Sequence, residues 1–118
     1  MADVLSLSVN STVSETLGEY GDYYDATSGY YYDFYQLTNL APGYGVTIDL
    51  ASNNFDTYVG IYNASSGQFV GFNNDGGAGT NSSFTFTPTL GDQSSYYAVV
   101  SSNGVNSTGN YQISAYYS

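Results

Sequence analysis

Apolar residues recur at every second position in short runs along this chain, and clusters of turn residues separate the runs. A period of two belongs to strands with one buried face. The first run is Val4-Leu5-Ser6-Leu7-Ser8-Val9, in which Leu5, Leu7 and Val9 share a face. Asn10-Ser11 turns it, and residues 12–17 predict a second short strand. A tyrosine-rich insert occupies about residues 20–32, broken by Gly21 and Gly29, and its end runs into a strand predicted over 30–37. Ala41-Pro42-Gly43 predicts a turn, with φ fixed at proline and a permissive glycine after it. Val46-Thr47-Ile48-Asp49-Leu50 follows with Val46, Ile48 and Leu50 inward, the cleanest strand pattern in the chain.

Alternation resumes over residues 57–62, turns tightly between Asn63 and Gly67, and continues from Gln68 to Phe72. Residues 73–81 are Asn-Asn-Asp-Gly-Gly-Ala-Gly-Thr-Asn and predict a glycine-rich loop. Residues 83–87 put Phe84 and Phe86 on one face, and Pro88 and Gly91-Asp92 end that run. Strands over 96–101 and 111–115 complete the set. Strong helix formers are thin, while β-branched and aromatic residues dominate. The pattern predicts a single domain over residues 1–118, an all-β, antiparallel β-sandwich of about seven to nine strands.

Composition narrows the chemistry. At 118 residues the chain is long enough to bury a core, and 42 % apolar residues with 15 tyrosines and 6 phenylalanines argue against disorder despite a net charge of -10. Lysine, arginine and histidine are absent, while ten residues are aspartate or glutamate. No side-chain salt bridge is available. Nucleic acid and anionic lipid are both bound through cationic side chains, so neither is an expected partner. Cysteine is absent as well, which removes disulfides, thiolate metal sites and cysteine nucleophiles. Without His, Cys, Lys or Arg no ordinary nucleophile and base pair exists, and only carboxylates remain for catalysis. An enzyme is not expected. No run of about 18 apolar residues occurs, so no membrane insertion by helix is expected. Tyrosine, asparagine, serine, threonine and glycine supply the polar surface, a chemistry that predicts extracellular or cell-surface residence. Met1-Ala2-Asp3-Val4 has neither a basic nor an apolar leader segment, so export is expected by another route or after removal of a leader.

Three stretches in order carry a family likeness. They are Gly43-x-x-Val46-Thr47-Ile48-Asp49-Leu50; then Phe55-Asp56-Thr57-Tyr58-Val59-Gly60-Ile61-Tyr62 leading to Asn73-Asn74-Asp75-Gly76-Gly77; then Tyr96-Tyr97-Ala98-Val99-Val100-Ser101-Ser102 ending in Gly109-Asn110-Tyr111-Gln112-Ile113-Ser114. The ordered set resembles the bacterial pre-peptidase C-terminal (PPC) domain family over roughly residues 5–116. That resemblance implies a jelly-roll-like β-sandwich of the kind found beside secreted proteases and in surface proteins. Members usually accompany a larger enzyme, whereas this chain is expected to be the domain alone, with a tyrosine-rich insert.

Oxygen ligands suit Ca²⁺. Asp56, Asn73, Asn74, Asp75 and Asn81 offer them around the glycine-rich loop, where two loops at one end of a sandwich are placed to converge. A bound cation would also relieve repulsion among carboxylates that have no basic partner. The alternative is a loop held by Asx turns over 73–77, with Asp56 capping a turn. The spacing matches neither an EF-hand nor a nonapeptide calcium repeat.

Tyrosines form the second constellation. Tyr20, Tyr23, Tyr24, Tyr30, Tyr31, Tyr32 and Tyr35 crowd more rings into one stretch than a single sandwich face buries. Exposed tyrosine gives rigid contact area with a polar tip. Tyr23, Tyr24, Tyr30, Tyr31 and Tyr32, with Tyr116 and Tyr117 near the end, are therefore candidates for stacking on a glycan or for self-association; core and edge coverage is the alternative. Sequons at Asn10, Asn63, Asn81 and Asn106, all in predicted turns, are candidate glycosylation sites.

The expected function is a non-catalytic extracellular structural module that self-assembles, as a homo-oligomer or polymer, into a surface filament or matrix. The alternative is a calcium-assisted module that binds polysaccharide or protein on a secreted or cell-surface protein.

Overall fold

The computed structural model describes residues 4–18, 23–25, 27, 29–74, 81–91, 95–102 and 108–117. Ten strands occur among them: β1 Val4–Ser8, β2 Ser11–Leu17, β3 Tyr23–Asp25, β4 Tyr30–Thr38, β5 Val46–Ala51, β6 Thr57–Asn63, β7 Gln68–Asn74, β8 Ser82–Phe86, β9 Tyr96–Ser102 and β10 Gly109–Tyr117. They form two sheets. The larger has the order β1-β4-β9-β6-β7, with β3 also paired to β4, and the smaller has the order β2-β10-β5-β8. The chain passes between sheets at seven of its connections, the crossing pattern of a jelly-roll-like β-sandwich.

All pairings are antiparallel except one. β1 runs parallel to β4, from Val4 opposite Phe34 to Ser8 opposite Thr38. β1 thus closes an edge of its own sheet, and Leu7 and Val9 are buried there as their alternation predicts. One departure from the expected strands has a local cause. β7 continues through Asn73 and Asn74, opposite Val59 and Tyr58, so these two asparagines are ladder residues and not loop. Cross-strand pairing overrides their weak strand preference. The expected loop positions 75–80 lie outside the described residues.

Turn chemistry matches the residues present. Tyr44 N–H donates to Ala41 O at 3.2 Å, and Gly43 takes φ +84°, as a proline-first type II turn requires. At the β6–β7 hairpin, Asn63 Oδ1 accepts Ser65 N–H at 2.9 Å and Gly67 takes φ +73°. An Asx turn therefore forms here.

Leu7, Leu17, Leu37, Val46, Ile48, Leu50, Val59, Ile61, Val100 and Ile113 fill the space between the sheets. Among them sits a carboxylate. Asp33 on β4 is buried and accepts a short hydrogen bond from the Tyr111 hydroxyl on β10; that hydroxyl lies 2.5 Å from the hydroxyl of Tyr35, also on β4. The cluster joins the two sheets across the core. Burial, then the bond and charge of Asp33, then Tyr35, hold the Tyr111 phenol far above its ordinary range.

A neutral Tyr111 gives a pH signature. Below about pH 10 the phenol is protonated folded and unfolded alike, so its contribution is complete. Above that, the unfolded chain releases a proton that the folded chain keeps, and stability falls by up to about 1.4 kcal/mol per pH unit from this group. Urea titrations of the wild type should show that loss beginning near pH 10. Tyr111→Phe should be less stable at pH 7 by about 1.5–3 kcal/mol, the worth of a hydrogen bond to a charged group. It should also lose stability less steeply in alkali; an unchanged alkaline slope would remove Tyr111 as its source.

Candidate functional site

Strand alternation gives the larger sheet a distinct outer face. On β4, Asp33, Tyr35 and Leu37 point inward, so Tyr30, Tyr32 and Phe34 point outward. Register carries that face across the sheet: Phe34 lies opposite Val99, which lies opposite Gly60, which lies opposite Phe72. One row up, Tyr62 pairs with both Tyr97 and Phe69. A bulge beside Ile61 and Tyr62 shifts the β7 register by one residue. Both Phe69 and Phe72 thereby reach this face, although they stand an odd three positions apart.

The rings contact one another. Tyr58 stacks on Phe72 with centroids 5.6 Å apart, Tyr62 meets Phe69 edge-on at 5.2 Å, and Tyr32 stacks on Phe34 at 6.4 Å. Gly60 provides the shelf for Phe69, whose ring would lie 3.2 Å from any Cβ added there. A trough of about 380 Å³ runs between Tyr30, Tyr32, Tyr58 and Phe69, with Val99, Ser101 and Ser102 also lining it. Burial, and after it Tyr32, raises the Tyr58 phenol above its ordinary range. Phe69 and Phe72 remain 55 % and 62 % exposed, and Val70 between them is also exposed. All three belong to β7, an edge strand.

The sequence-predicted tyrosines do not form one group. Tyr30 and Tyr32 stand on the aromatic face, while Tyr31 between them turns the other way and packs against the core. Tyr23 and Tyr24 pair through their backbones with Tyr32 and Tyr31. Tyr116 and Tyr117 belong to the other sheet and bond within the chain. The Tyr116 hydroxyl donates to Asp49 Oδ2 at 2.5 Å, which raises its phenol above the ordinary range, and the Tyr117 hydroxyl donates to Asn39 O at 2.8 Å. Sequence reasoning missed Phe34, Tyr58, Tyr62, Phe69, Phe72 and Tyr97. Alternation marked most of them as outward, but the bulge that turns Phe69 outward leaves no local signal.

The smaller sheet faces solvent with hydroxyls and amides. Thr12 and Ser114 hydroxyls lie 2.9 Å apart, Thr47 and Thr85 2.8 Å apart, Thr16 donates to Asn110 Oδ1 at 2.7 Å, and Ser83 donates to Asp49 Oδ1 at 2.7 Å. At one end of this sheet lies an open groove of about 650 Å³, lined by Ser14, Glu15, Thr16, residues 51–54, Asn81 and residues 110–112.

Asp56, Asn73, Asn74 and Asn81 all belong to that same end of the sandwich, where β5 and β7 finish and β6 and β8 begin. Asp75 lies outside the described residues. Asn73 is opposite the fully buried Val59, and its Oδ1 is shielded from solvent and accepts no hydrogen bond. Asn81 Oδ1 already accepts Ser52 N–H at 3.1 Å. Among the described residues no three acidic side chains gather in ligating range. Of the sequons, Asn10 is exposed in a turn at φ +71°, Asn63 is buried with its Oδ1 engaged by Ser65, and Asn81 is half-buried; Asn106 lies outside the described residues.

No protein-family model matches this sequence, and no curated protein matches it either. Solved structures do. The pre-peptidase C-terminal domain of a collagenase from Bacillus anthracis superposes with a TM-score of 0.65 at 14 % identity, covering 98 % of this chain and 96 % of that one. PliG of Aeromonas hydrophila, a periplasmic inhibitor of g-type lysozyme, superposes with a TM-score of 0.54 at 10 % identity over 100 % of both chains. The chain has the β-sandwich fold of a pre-peptidase C-terminal domain.

Gly109 tests how tightly the groove end is built. It takes φ +140°, and a Cβ there would overlap that of Asn54. Gly109→Ala should lower the melting temperature by several degrees through strain and overlap. A melt unchanged from wild type would mean that Asn54 moves aside freely.

Proposed function

We propose that this chain is a non-catalytic extracellular structural module that assembles with copies of itself, strand to strand along β7, into a filament or matrix. The observation that carries this reading is β7 itself. An edge strand exposes unpaired backbone groups, and natural edges are usually guarded by lysine, proline or inward charge. β7 has none of these and instead presents Phe69, Val70 and Phe72 to solvent. Its bulge is the one protective feature among the described residues.

Charge placement supports the same reading. Glu15 and Asp49 belong to the smaller sheet, Asp33 is buried, and Asp56 precedes β6 at the end of the sandwich. None of these four stands on the aromatic face. These four therefore add little repulsion to a second copy approaching there, since screening in physiological salt acts over about 8 Å. β1, at the other end of the same strand order, has 5 residues against the 7 of β7, so β7 offers the longer open edge. The likeness to a collagenase domain and to a periplasmic inhibitor supports residence outside the cytoplasm.

Electron microscopy and sedimentation of the purified protein should show ordered polymers. Val70→Lys with Phe72→Lys should leave a folded monomer whose melting temperature stays within a few degrees, because both sites are exposed. A wild type that stays monomeric at millimolar concentration, or a double variant that still polymerises, would sink the proposal.

A second reading, a module whose open end takes Ca²⁺, is favoured by the shielded, unbonded Oδ1 of Asn73 at the same end of the sandwich as Asp56. Oxygen donors of this kind suit calcium. Millimolar calcium should then raise the melting temperature relative to chelator by several degrees, as binding to the folded state alone requires. Superimposable melts would remove calcium from the account.

A further inference from the structure

The groove at the end of the smaller sheet is braced by bonds that fix which way its carboxamides face. A backbone N–H can only donate, so the side-chain atom it meets must be oxygen. Asn110 N–H donates to Asn54 Oδ1 at 3.3 Å, and Ser52 N–H donates to Asn81 Oδ1 at 3.1 Å. Both orientations follow from that, and the NH₂ groups of Asn54 and Asn81 are left to the groove that these residues line.

Ser52 is the centre of the brace. Its buried hydroxyl donates to Asn110 O at 2.6 Å and accepts Asn54 N–H at 3.0 Å. The end of β5, the β5–β6 connection, the start of β8 and the start of β10 are thereby tied to one residue. Such bracing holds donors in place before any ligand arrives, which lowers the entropy lost on binding.

We propose that this groove binds a neutral oligosaccharide, with the Asn54 and Asn81 amides donating to sugar oxygens and Glu15 accepting from sugar hydroxyls. Three observations choose this ligand class. An anionic ligand would meet a chain of net charge -10 with no cationic side chain. A bare cation would meet amide NH₂ groups on the groove side of Asn54 and Asn81. An extended peptide needs apolar pockets for alternate side chains, whereas Ser14, Thr16, Asn53, Asn110 and Gln112 line these walls. The volume of about 650 Å³ is within the usual range of small-ligand sites.

The site depends neither on β7 assembly nor on calcium, so the test is run in chelator. The probes are neutral tetrasaccharides of β-1,4-linked glucose, xylose, mannose and N-acetylglucosamine, with oligogalacturonate as the acidic counterpart, followed by calorimetry and by NMR of the groove amides. At least one neutral probe should bind and shift the signals of Asn54, Asn81 and Gln112, and oligogalacturonate should bind less. Asn54→Asp with Asn81→Asp keeps both accepting oxygens, and hence the brace, but exchanges each donor for an acceptor. Affinity for the neutral probe should fall about tenfold or more, as expected for unmade hydrogen bonds. Asn10→Asp, which adds charge at the opposite end of the sandwich, should bind like wild type. Silence from every neutral probe, equal binding of the acidic one, or full affinity in the folded double variant would each overturn the proposal.

Discussion

A buried carboxylate in a protein without one cationic side chain must be held by neutral donors, and Asp33 is held by the hydroxyl of Tyr111. The rest of the sandwich depends on that bond. Asp33 and Tyr35 lie on β4 in the middle of one sheet, and Tyr111 lies on β10 in the middle of the other. Apolar side chains press the sheets together without direction, whereas this cluster fixes where β4 meets β10. Leaving a buried carboxylate without donors is costly, so sliding of one sheet over the other is opposed at its centre. The same constraint operates throughout: where other proteins use ion pairs, this one uses hydroxyls and carboxamides, as in the Thr57–Ser82 and Thr16–Asn110 bonds between elements.

With the sheets fixed, alternation makes two unlike outer surfaces from one chain. β4, β6, β7 and β9 send rings outward, while β2, β5, β8 and β10 send hydroxyls and amides outward. The aromatic surface reaches an unguarded edge at β7. The polar surface ends in a groove whose donors are braced from behind. Two details sharpen the division. Gly60 removes the side chain that would lift Phe69 off the sheet, and Gly71 makes room for Phe84, whose ring would lie 2.6 Å from an added Cβ. β7 is thus pinned to β8 on its inner side while its outer side stays open.

Much of this was legible in the residues. Alternation located Leu5, Leu7 and Val9, and Val46, Ile48 and Leu50, on their buried faces, and Pro42-Gly43 and Asn63 to Gly67 marked the turns. The PPC resemblance agreed with the sandwich found. What the sequence could not carry depends on partners distant along the chain. β1 pairs parallel to β4 because of where β4 lies, not because of anything within residues 4–8. Asn73 and Asn74 become strand because Val59 and Tyr58 stand opposite them. The tyrosine cluster suggested one surface, but alternation splits Tyr31 from Tyr30 and Tyr32, and Tyr116 and Tyr117 belong to the other sheet. The groove was hidden for the same reason: Thr16, Ser52, Asn81 and Asn110 meet only through the jelly-roll crossings, and of these only Asn81 had stood out, for another role.

Assembly along β7 and binding in the groove are compatible because topology keeps them apart. β7 is the last strand of the larger sheet, whereas the groove is built on the ends of β2, β10 and β5, with Asn81 ahead of β8 on its side nearest β7. A copy added at β7 extends the larger sheet from the edge away from β2 and leaves the groove open. A polymer of such units would present one groove per subunit at a fixed repeat. Weak individual contacts to a long, repetitive glycan then combine through effective concentration, which can raise overall avidity by about 10²–10⁴ without any new contact. An anionic chain with no cation to attract a charged polymer would gain its hold on a neutral one by repetition, and the unguarded edge that risks aggregation in a monomer is what would supply the repeats.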